Sequence, residues 1–134
     1  MIVVDSSALI AIVLEEPERN QALVAVNDAD EVLLSAANYV EVAIVLFAKE
    51  RDTVSGDVDQ LLRTLDVQVV SVERKHAELA AAAYDRYGKG RHPAGLNFGD
   101  CFAYALAKAL AAPLLFKGTD FGRTDVTPVD LGAA

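Results

Sequence analysis

The sequence predicts an α/β fold, a three-layer α/β/α arrangement around a central, mainly parallel sheet. Two patterns predict it. Ile2-Val3-Val4, Val32-Leu33-Leu34 and Leu114-Leu115-Phe116 are short, uninterrupted apolar runs, as expected of strands buried on both faces. Between them lie stretches whose apolar residues recur at helical spacing, and strands alternating with helices make a parallel sheet covered on both sides. No repeat, low-complexity block or Pro/Gly-rich linker divides the 134 residues, so one unit spanning residues 1–134 is expected.

Taken in order, Ile2-Val3-Val4 ends at Asp5, and Ser6 or Ser7 can cap a helix over residues 6–15 that Pro17 stops. Residues 18–29 place Ala22, Leu23, Val26 and Ala29 on one side of a second helix. After the second strand, Ser35 can cap a helix over residues 36–51, with Val40, Ile44, Phe47 and Ala48 at helical spacing. Ser55 can cap a helix ending near residue 65, residues 67–72 read as a strand, and alanine-rich residues 73–87 read as a helix ending at Gly88. The segment GKGRHPAG is a loop, residues 98–111 are helical up to Pro113, and residues 126–129 make an edge strand that tolerates Pro128.

Composition excludes several classes. No apolar run reaches the roughly 18 residues of a membrane span. The start MIVVDSS has no basic region like that of a signal or transit peptide, and the single cysteine, Cys101, excludes an internal disulfide framework and a multi-cysteine zinc site. A soluble, cytoplasmic protein without membrane contact is expected. The net charge of −8, from 12 basic and 20 acidic residues, argues against a protein that coats nucleic acid with a broad basic face. It leaves a nuclease open, because acids that hold metal ions also count as negative charge.

Four acids lie in apolar surroundings: Asp5 after IVV, Glu41 in NYVEVAIVLF, Asp100 in FGDCFAYAL and Asp120 in LLFKGTDF. Each has an ordinary reading by itself. Asp5 can be a helix cap or turn former, Glu41 can face water, Asp100 can complement the positive end of its helix, and Asp120 can be a turn residue. Asp5 and Asp120 also follow strands, at the sheet edge where sites of open parallel sheets form. Two like charges 4 Å apart repel by about 1 kcal/mol even in water, so converging acids require raised pKa values or a cation. Oxygen ligands with few histidines suit Mg²⁺ or Mn²⁺ better than Zn²⁺, and such an ion can lower the pKa of a water and stabilise charge on a phosphoryl oxygen.

Three segments, IVVDSSALIAIVLEEPE, SAANYVEVAIVL and GLNFGDCFAYALAKALAAPLLFKGTDF, occur in order over residues 2–121. With them the chain resembles the PIN-domain ribonucleases, most closely the VapC toxins of prokaryotic toxin–antitoxin pairs. The resemblance implies a three-layer PIN fold, Mg²⁺- or Mn²⁺-dependent endoribonuclease activity, a homodimer and neutralisation by a VapB-like antitoxin. It puts the family's acidic quartet on Asp5, Glu41, Asp100 and Asp120, as metal ligands and catalytic groups, and supporting hydroxyls on Ser7 and Thr119. On this reading Asp5, Glu41 and Asp100 hold the ion directly or through water, Asp120 completes the site or helps to hold a second ion or orient water, and an activated water attacks the RNA phosphodiester.

The densest basic segment is the loop with Lys89 and Arg91, and Lys117 lies near Asp120; all three are candidate RNA phosphate contacts, with a solvated surface as the ordinary alternative. Tyr39, Phe98 and Phe121 flank the acids and read as packing residues, with base stacking as the functional alternative. His76 is expected on the surface, and His92 is a lesser candidate for RNA contact. For the antitoxin, residues 8–14 and the helix carrying Glu41 offer groove walls, with Ile12 and Leu46 as the test positions. Two rivals are another Mg²⁺-dependent phosphoryl-transfer enzyme and a non-catalytic interaction module. Ser7 stands where a haloacid-dehalogenase-type phosphatase would carry its second Asp.

Overall fold

A computed structural model describes residues 1–49 and 58–131. Its strands are β1 (Ile2–Val4), β2 (Val32–Ser35), β3 (Val67–Val70) and β4 (Leu114–Leu115). Its helices are α1 (Ser6–Val13), α2 (Arg19–Asp28), α3 (Ala36–Lys49), α4 (Val58–Leu65), α5 (Arg74–Tyr87) and α6 (Phe98–Leu110), and a 3₁₀ turn covers Phe121–Arg123. The strands form one parallel sheet in the order β3-β2-β1-β4, with Val3 opposite both Leu33 and Leu114.

Strand alternation divides the core in two. Val3, Leu33 and Leu114 pack against α5 and α6, whereas Ile2, Val4, Val32, Leu34 and Leu115 pack against α1–α4. The result is a three-layer α/β/α sandwich. Among the described residues, no helix is long and apolar enough to cross a membrane.

Local chemistry explains the boundaries. The cap of α1 is Asp5, whose carboxylate accepts from the Ser7 N–H, rather than Ser6 or Ser7 themselves. That helix ends at Val13, before Pro17, and Glu15 turns the chain with φ of 53°. Ser35 does cap α3, its Oγ accepting from the Ala37 N–H at 3.3 Å. The expected cap Ser55 and the end of the 36–51 helix lie outside the described residues. Residues 126–129 do not form a fifth strand: Pro128 has no N–H, and the segment meets Leu114 through an isolated bridge, with bonds from Leu114 N to Thr127 O and from Val129 N to Leu114 O.

The structure decides which face of α3 is buried, and it corrects one expectation about α1 and α3. The spacing of Val40, Ile44 and Phe47 on α3 is helical, but this row is exposed, Phe47 at 67%. The buried row is Asn38, Val42, Ala43 and Leu46. In a helix with apolar residues on several sides, periodicity gives the spacing but not which row meets the sheet. For the same reason Ile12 and Leu46 are core residues in the layer of α1–α4 and cannot wall an open groove. Ile12→Asp or Leu46→Asp therefore destabilises by about 3 kcal/mol or more through burial of an unpaired charge, whereas Phe47→Asp leaves urea-unfolding stability within about 1 kcal/mol.

His76 is the other correction. It is 6% exposed, and its Nδ1 accepts from the Glu73 N–H at 2.9 Å, closing a capping box at the start of α5. A charged helical stretch suggested a surface position, but residue three of a helix beside an acidic cap is also a capping position.

Candidate active site

The candidate site gathers at the carboxyl ends of the strands. Asp5 directly follows β1, Glu41 stands in the second turn of α3, Asp100 is in the first turn of α6, and Asp120 precedes the 3₁₀ turn after β4. Parallel strands point their C-termini to one edge, so acids far apart in sequence meet there.

Asp5 is 2% exposed. Its Oδ2 accepts from the Ser7 N–H at 3.0 Å, while its Oδ1 is buried without a hydrogen-bond partner. Burial raises its pKa to about 7; the Ser7 bonds pull it down, and the charges of Asp100 and Glu41 push it further up. Burial likewise raises the pKa of Asp100, opposed by its backbone bond at Asn97 and reinforced by the charges of Glu41 and Asp120. These mutual effects place the four acids in one electrostatic neighbourhood.

Each of the first three acids is anchored by one oxygen. Glu41 Oε1 accepts from Ser6 Oγ at 2.9 Å and from Asn38 Nδ2 at 2.8 Å. Asp100 Oδ2 accepts from the Asn97 N–H at 3.0 Å, and Asn97 Oδ1 accepts from the Asp100 N–H at 2.9 Å, a capping box. Asp5 Oδ1, Glu41 Oε2 and Asp100 Oδ1 then carry no hydrogen bond among the described residues. Asp120 is exposed, as is Thr119.

A hard divalent cation fits this donor set. An orphaned buried carboxylate oxygen is costly until something positive meets it, and three carboxylates with one unbonded oxygen each supply oxygen ligands and negative charge. Among the described residues, no three acids stand close enough to enclose an ion by direct contact alone. An ion placed among them would therefore be held partly through its own waters.

Around the acids, the Ser7 Oγ accepts from the Lys117 N–H at 3.0 Å and ties the loop after β4 to the start of α1. The Lys117 ammonium bonds Glu16 at 3.0 Å and lies 3.8 Å from Glu18. Arg91 pairs with Asp85 at 3.1 Å, and Lys89 is exposed. Phe121 is core. Tyr39 is half-buried and donates its hydroxyl to Asp59 at 2.8 Å. Phe98, by contrast, is 77% exposed and meets Phe102 edge-on. Lys89 and Phe98 line one groove of about 530 Å³ between α5 and α6, with Tyr84, Asn97 and Phe102. His92 accepts from the Ala94 N–H at 3.0 Å and stacks edge-on against Tyr87, so it shapes its own loop. Cys101 is buried, and burial lifts its thiol to about 11, which leaves it unreactive at neutral pH.

Sequence reasoning missed Ser6, Asn38, Asn97 and Gly99. The pattern Asn97-x-x-Asp100 was readable as a capping box. The spacing of Asn38 and Glu41, three apart on one helix, was also readable, but the contacts of Asn38 with Gly99 and of Ser6 with Glu41 cross the fold, and no local pattern reports them.

The PIN domain pattern matches residues 2–126 of the chain. The chain belongs to the PIN-domain family. Within it, the chain is 46% identical over 130 residues to Ribonuclease VapC30 of Mycobacterium tuberculosis, covering 96% of this chain and 98% of that one. It is also 46% identical over 127 residues to Ribonuclease VapC of Mycolicibacterium smegmatis, covering 95% and 98%. Among solved structures, the PIN fold here matches the M. tuberculosis toxin VapC20, described as cleaving the sarcin–ricin loop, with a TM-score of 0.72 over 96% of this chain and 98% of that one, at 16% identity. It matches VapBC-1 from nontypeable Haemophilus influenzae with a TM-score of 0.68 over 98% of both chains, at 20% identity.

Proposed function

We propose that the protein is an endoribonuclease toxin of the VapC type, hydrolysing RNA phosphodiester bonds with Mg²⁺ or Mn²⁺ held by Asp5, Glu41 and Asp100, partly through water, and with Asp120 completing the site. The observation that carries this reading is the set of three acids anchored on one oxygen and unbonded on the other, with Asp5 Oδ1 buried and orphaned. When bound, the ion supplies positive charge for the phosphoryl oxygens and an acidified water. The chain's own part is to hold its carboxylates rigid. Ser7 fixes Asp5, Ser6 and Asn38 fix Glu41, and the Asn97 cap fixes Asp100. Asp120, exposed on its turn, is free to orient an incoming water, with Thr119 beside it. Lys89 and Arg91 serve as phosphate contacts on the incoming RNA, since the exposed pair of Arg91 with Asp85 is weak enough to exchange for a phosphate. Lys117 is committed to Glu16 and Glu18, and Lys117→Ala is expected to change cleavage less than threefold in an initial-rate assay.

The test is cleavage of a mixed RNA pool by purified protein with Mn²⁺, beside Asp100→Asn, Glu41→Gln and a chelator control. Loss of cleavage in all three is expected. Cleavage that survives both substitutions overturns the assignment of the site. No cleavage by the unaltered protein, together with no Mn²⁺ binding, favours a non-catalytic interaction module.

The reading includes a homodimer and a VapB-like antitoxin. For the antitoxin the exposed row Val40, Ile44 and Phe47 on α3 replaces the buried Ile12 and Leu46 as the surface to probe. The row is apolar and exposed, which makes it the first candidate for a partner surface. In antitoxin titration, Phe47→Asp and Ile44→Asp are expected to weaken binding at least about tenfold. Unchanged affinity in both removes this face from the interface.

A further inference from the structure

Asn38 is completely buried, one helical turn before Glu41 on the same face of α3. A carboxamide has two N–H donors. Here one goes to Glu41 Oε1 at 2.8 Å and the other to the Gly99 carbonyl at 3.0 Å. The side chain therefore bridges the second turn of α3 to the first turn of α6. Ser6 Oγ, from α1, gives Oε1 a second donor at 2.9 Å. The opposite wall of this slot is a missing side chain: a Cβ on Gly99 would overlap the Glu41 carboxyl group, Oε2 first.

The two donors saturate Oε1 and leave Oε2 unbonded at the start of α6, one residue from Asp100. Without them the Glu41 side chain, with three rotatable torsions, would be free to turn either oxygen toward the other acids or swing out to water. Burying Asn38 has a cost, because its own Oδ1 is buried without a partner.

We propose that Asn38 is a positioning residue for the metal site: with Ser6 and Gly99 it holds the Glu41 carboxylate so that Oε2 is the oxygen presented to a divalent cation. The inference rests on the metal-dependent reading above, and it assigns a role to three residues outside the acidic quartet. Asn38 acts only through Glu41, since its own N–H groups are spent and its carboxamide carries no charge.

The experiment measures Mn²⁺ affinity of the folded protein by calorimetric titration, well below the melting temperature, for the unaltered chain, Asn38→Ala, Ser6→Ala, Glu41→Gln and the double variant Asn38→Ala/Glu41→Gln. Melting in chelator and steady-state RNA cleavage accompany it. Asn38→Ala is expected to lose at least about tenfold in Mn²⁺ affinity, the loss typical when a group that orients a ligand is removed. In cleavage, kcat at fixed Mn²⁺ falls, KM for RNA stays the same, and added Mn²⁺ restores part of the rate. Ser6→Ala removes the second donor while sparing the tie between α3 and α6, and shows a smaller loss in the same direction. In the Glu41→Gln background, Asn38→Ala adds nothing further.

A purely structural tie gives a different result. Asn38→Ala then melts earlier in chelator but binds Mn²⁺ as tightly as the unaltered chain, and this overturns the proposal. If Asn38→Ala does not fold, Ser6→Ala decides, and unchanged Mn²⁺ affinity there overturns it as well. If Glu41→Gln itself leaves Mn²⁺ affinity unchanged, Glu41 is not a ligand and the metal-site reading fails at its base. If Glu41→Gln weakens binding and Asn38→Ala does not, only the role of Asn38 fails.

Discussion

Asp5→Asn is expected to remove Mn²⁺-dependent RNA cleavage, by about 10³-fold or more in kcat/KM, and at the same time to raise the melting temperature in chelator at pH 8. The two effects have one cause. A group that contributes to several kcal/mol of charge stabilisation at the reacting phosphate costs about this factor when it is neutralised. The same carboxylate is a liability when no cation meets it. It is buried, one oxygen has no partner, and its pKa stands at about 7 instead of 3.8. A shift of about three units corresponds to roughly 4 kcal/mol of strain at pH 8, where the group is ionised in both folded and unfolded chains. Asparagine keeps an acceptor for the Ser7 N–H and removes the charge, but it leaves a buried amide N–H without a partner where Oδ1 stood, so only part of this is recovered and a net gain of about 5–10 °C is expected. Thermal unfolding in EDTA beside a cleavage assay checks both halves. A lower melting temperature would make Asp5 an ordinary helix cap, stabilising through its bond to Ser7. Unchanged cleavage would move the chemistry away from β1.

The unaltered protein in chelator should become less stable as pH rises from about 5 to 8, which is unusual for an acidic protein. In the folded state Asp5 keeps its proton up to about pH 7, whereas in the unfolded chain it loses it near 3.8. Between these values the folded state binds more protons, so stability falls with rising pH and is lowest above 7. Asp100 is shifted the same way by burial and contributes with the same sign. Asp125 works in the opposite direction: the Tyr104 hydroxyl holds its carboxyl below the usual range, so its contribution is present above the unfolded pKa and lost in acid. The optimum is therefore mildly acidic. Mn²⁺ at about 100 times its dissociation constant adds about 2.7 kcal/mol by binding the folded state alone, and it adds most at high pH, where the carboxylates are ionised. Urea unfolding at pH 5, 6, 7 and 8, with EDTA or with Mn²⁺, measures this. A flat profile in EDTA would mean that the acids are better solvated than their burial indicates.

Much of this was legible in the chain itself. The continuous apolar runs at Ile2-Val3-Val4 and Leu114-Leu115 announced strands buried on both sides, because parallel strands under two helical layers have no polar face to show. The four acids stood out because each interrupts an apolar stretch, where a charge needs a reason. Local cap chemistry was readable where the capping atom lies within a few residues, as at Ser35. At His76 the charged helical stretch suggested the surface, and the capping position three residues after Glu73 went unread.

The sequence alone determined the α/β class and the order of most elements, since these follow from spacing, and it singled out four acids, of which the structure buries Asp5, half-buries Glu41 and Asp100 and leaves Asp120 exposed on its turn. Only the tertiary structure decided which row of α3 is buried, because Val40, Ile44 and Phe47 are as apolar as Val42 and Leu46 and periodicity carries no phase. It alone decided that Asn38 meets Gly99, 61 positions away, and that Ser6 meets Glu41, 35 positions away. Contacts of that span have no local signature. They exist because a parallel sheet carries distant segments to one edge, where the hydrogen-bonding capacity left by each helix start is met by residues from another.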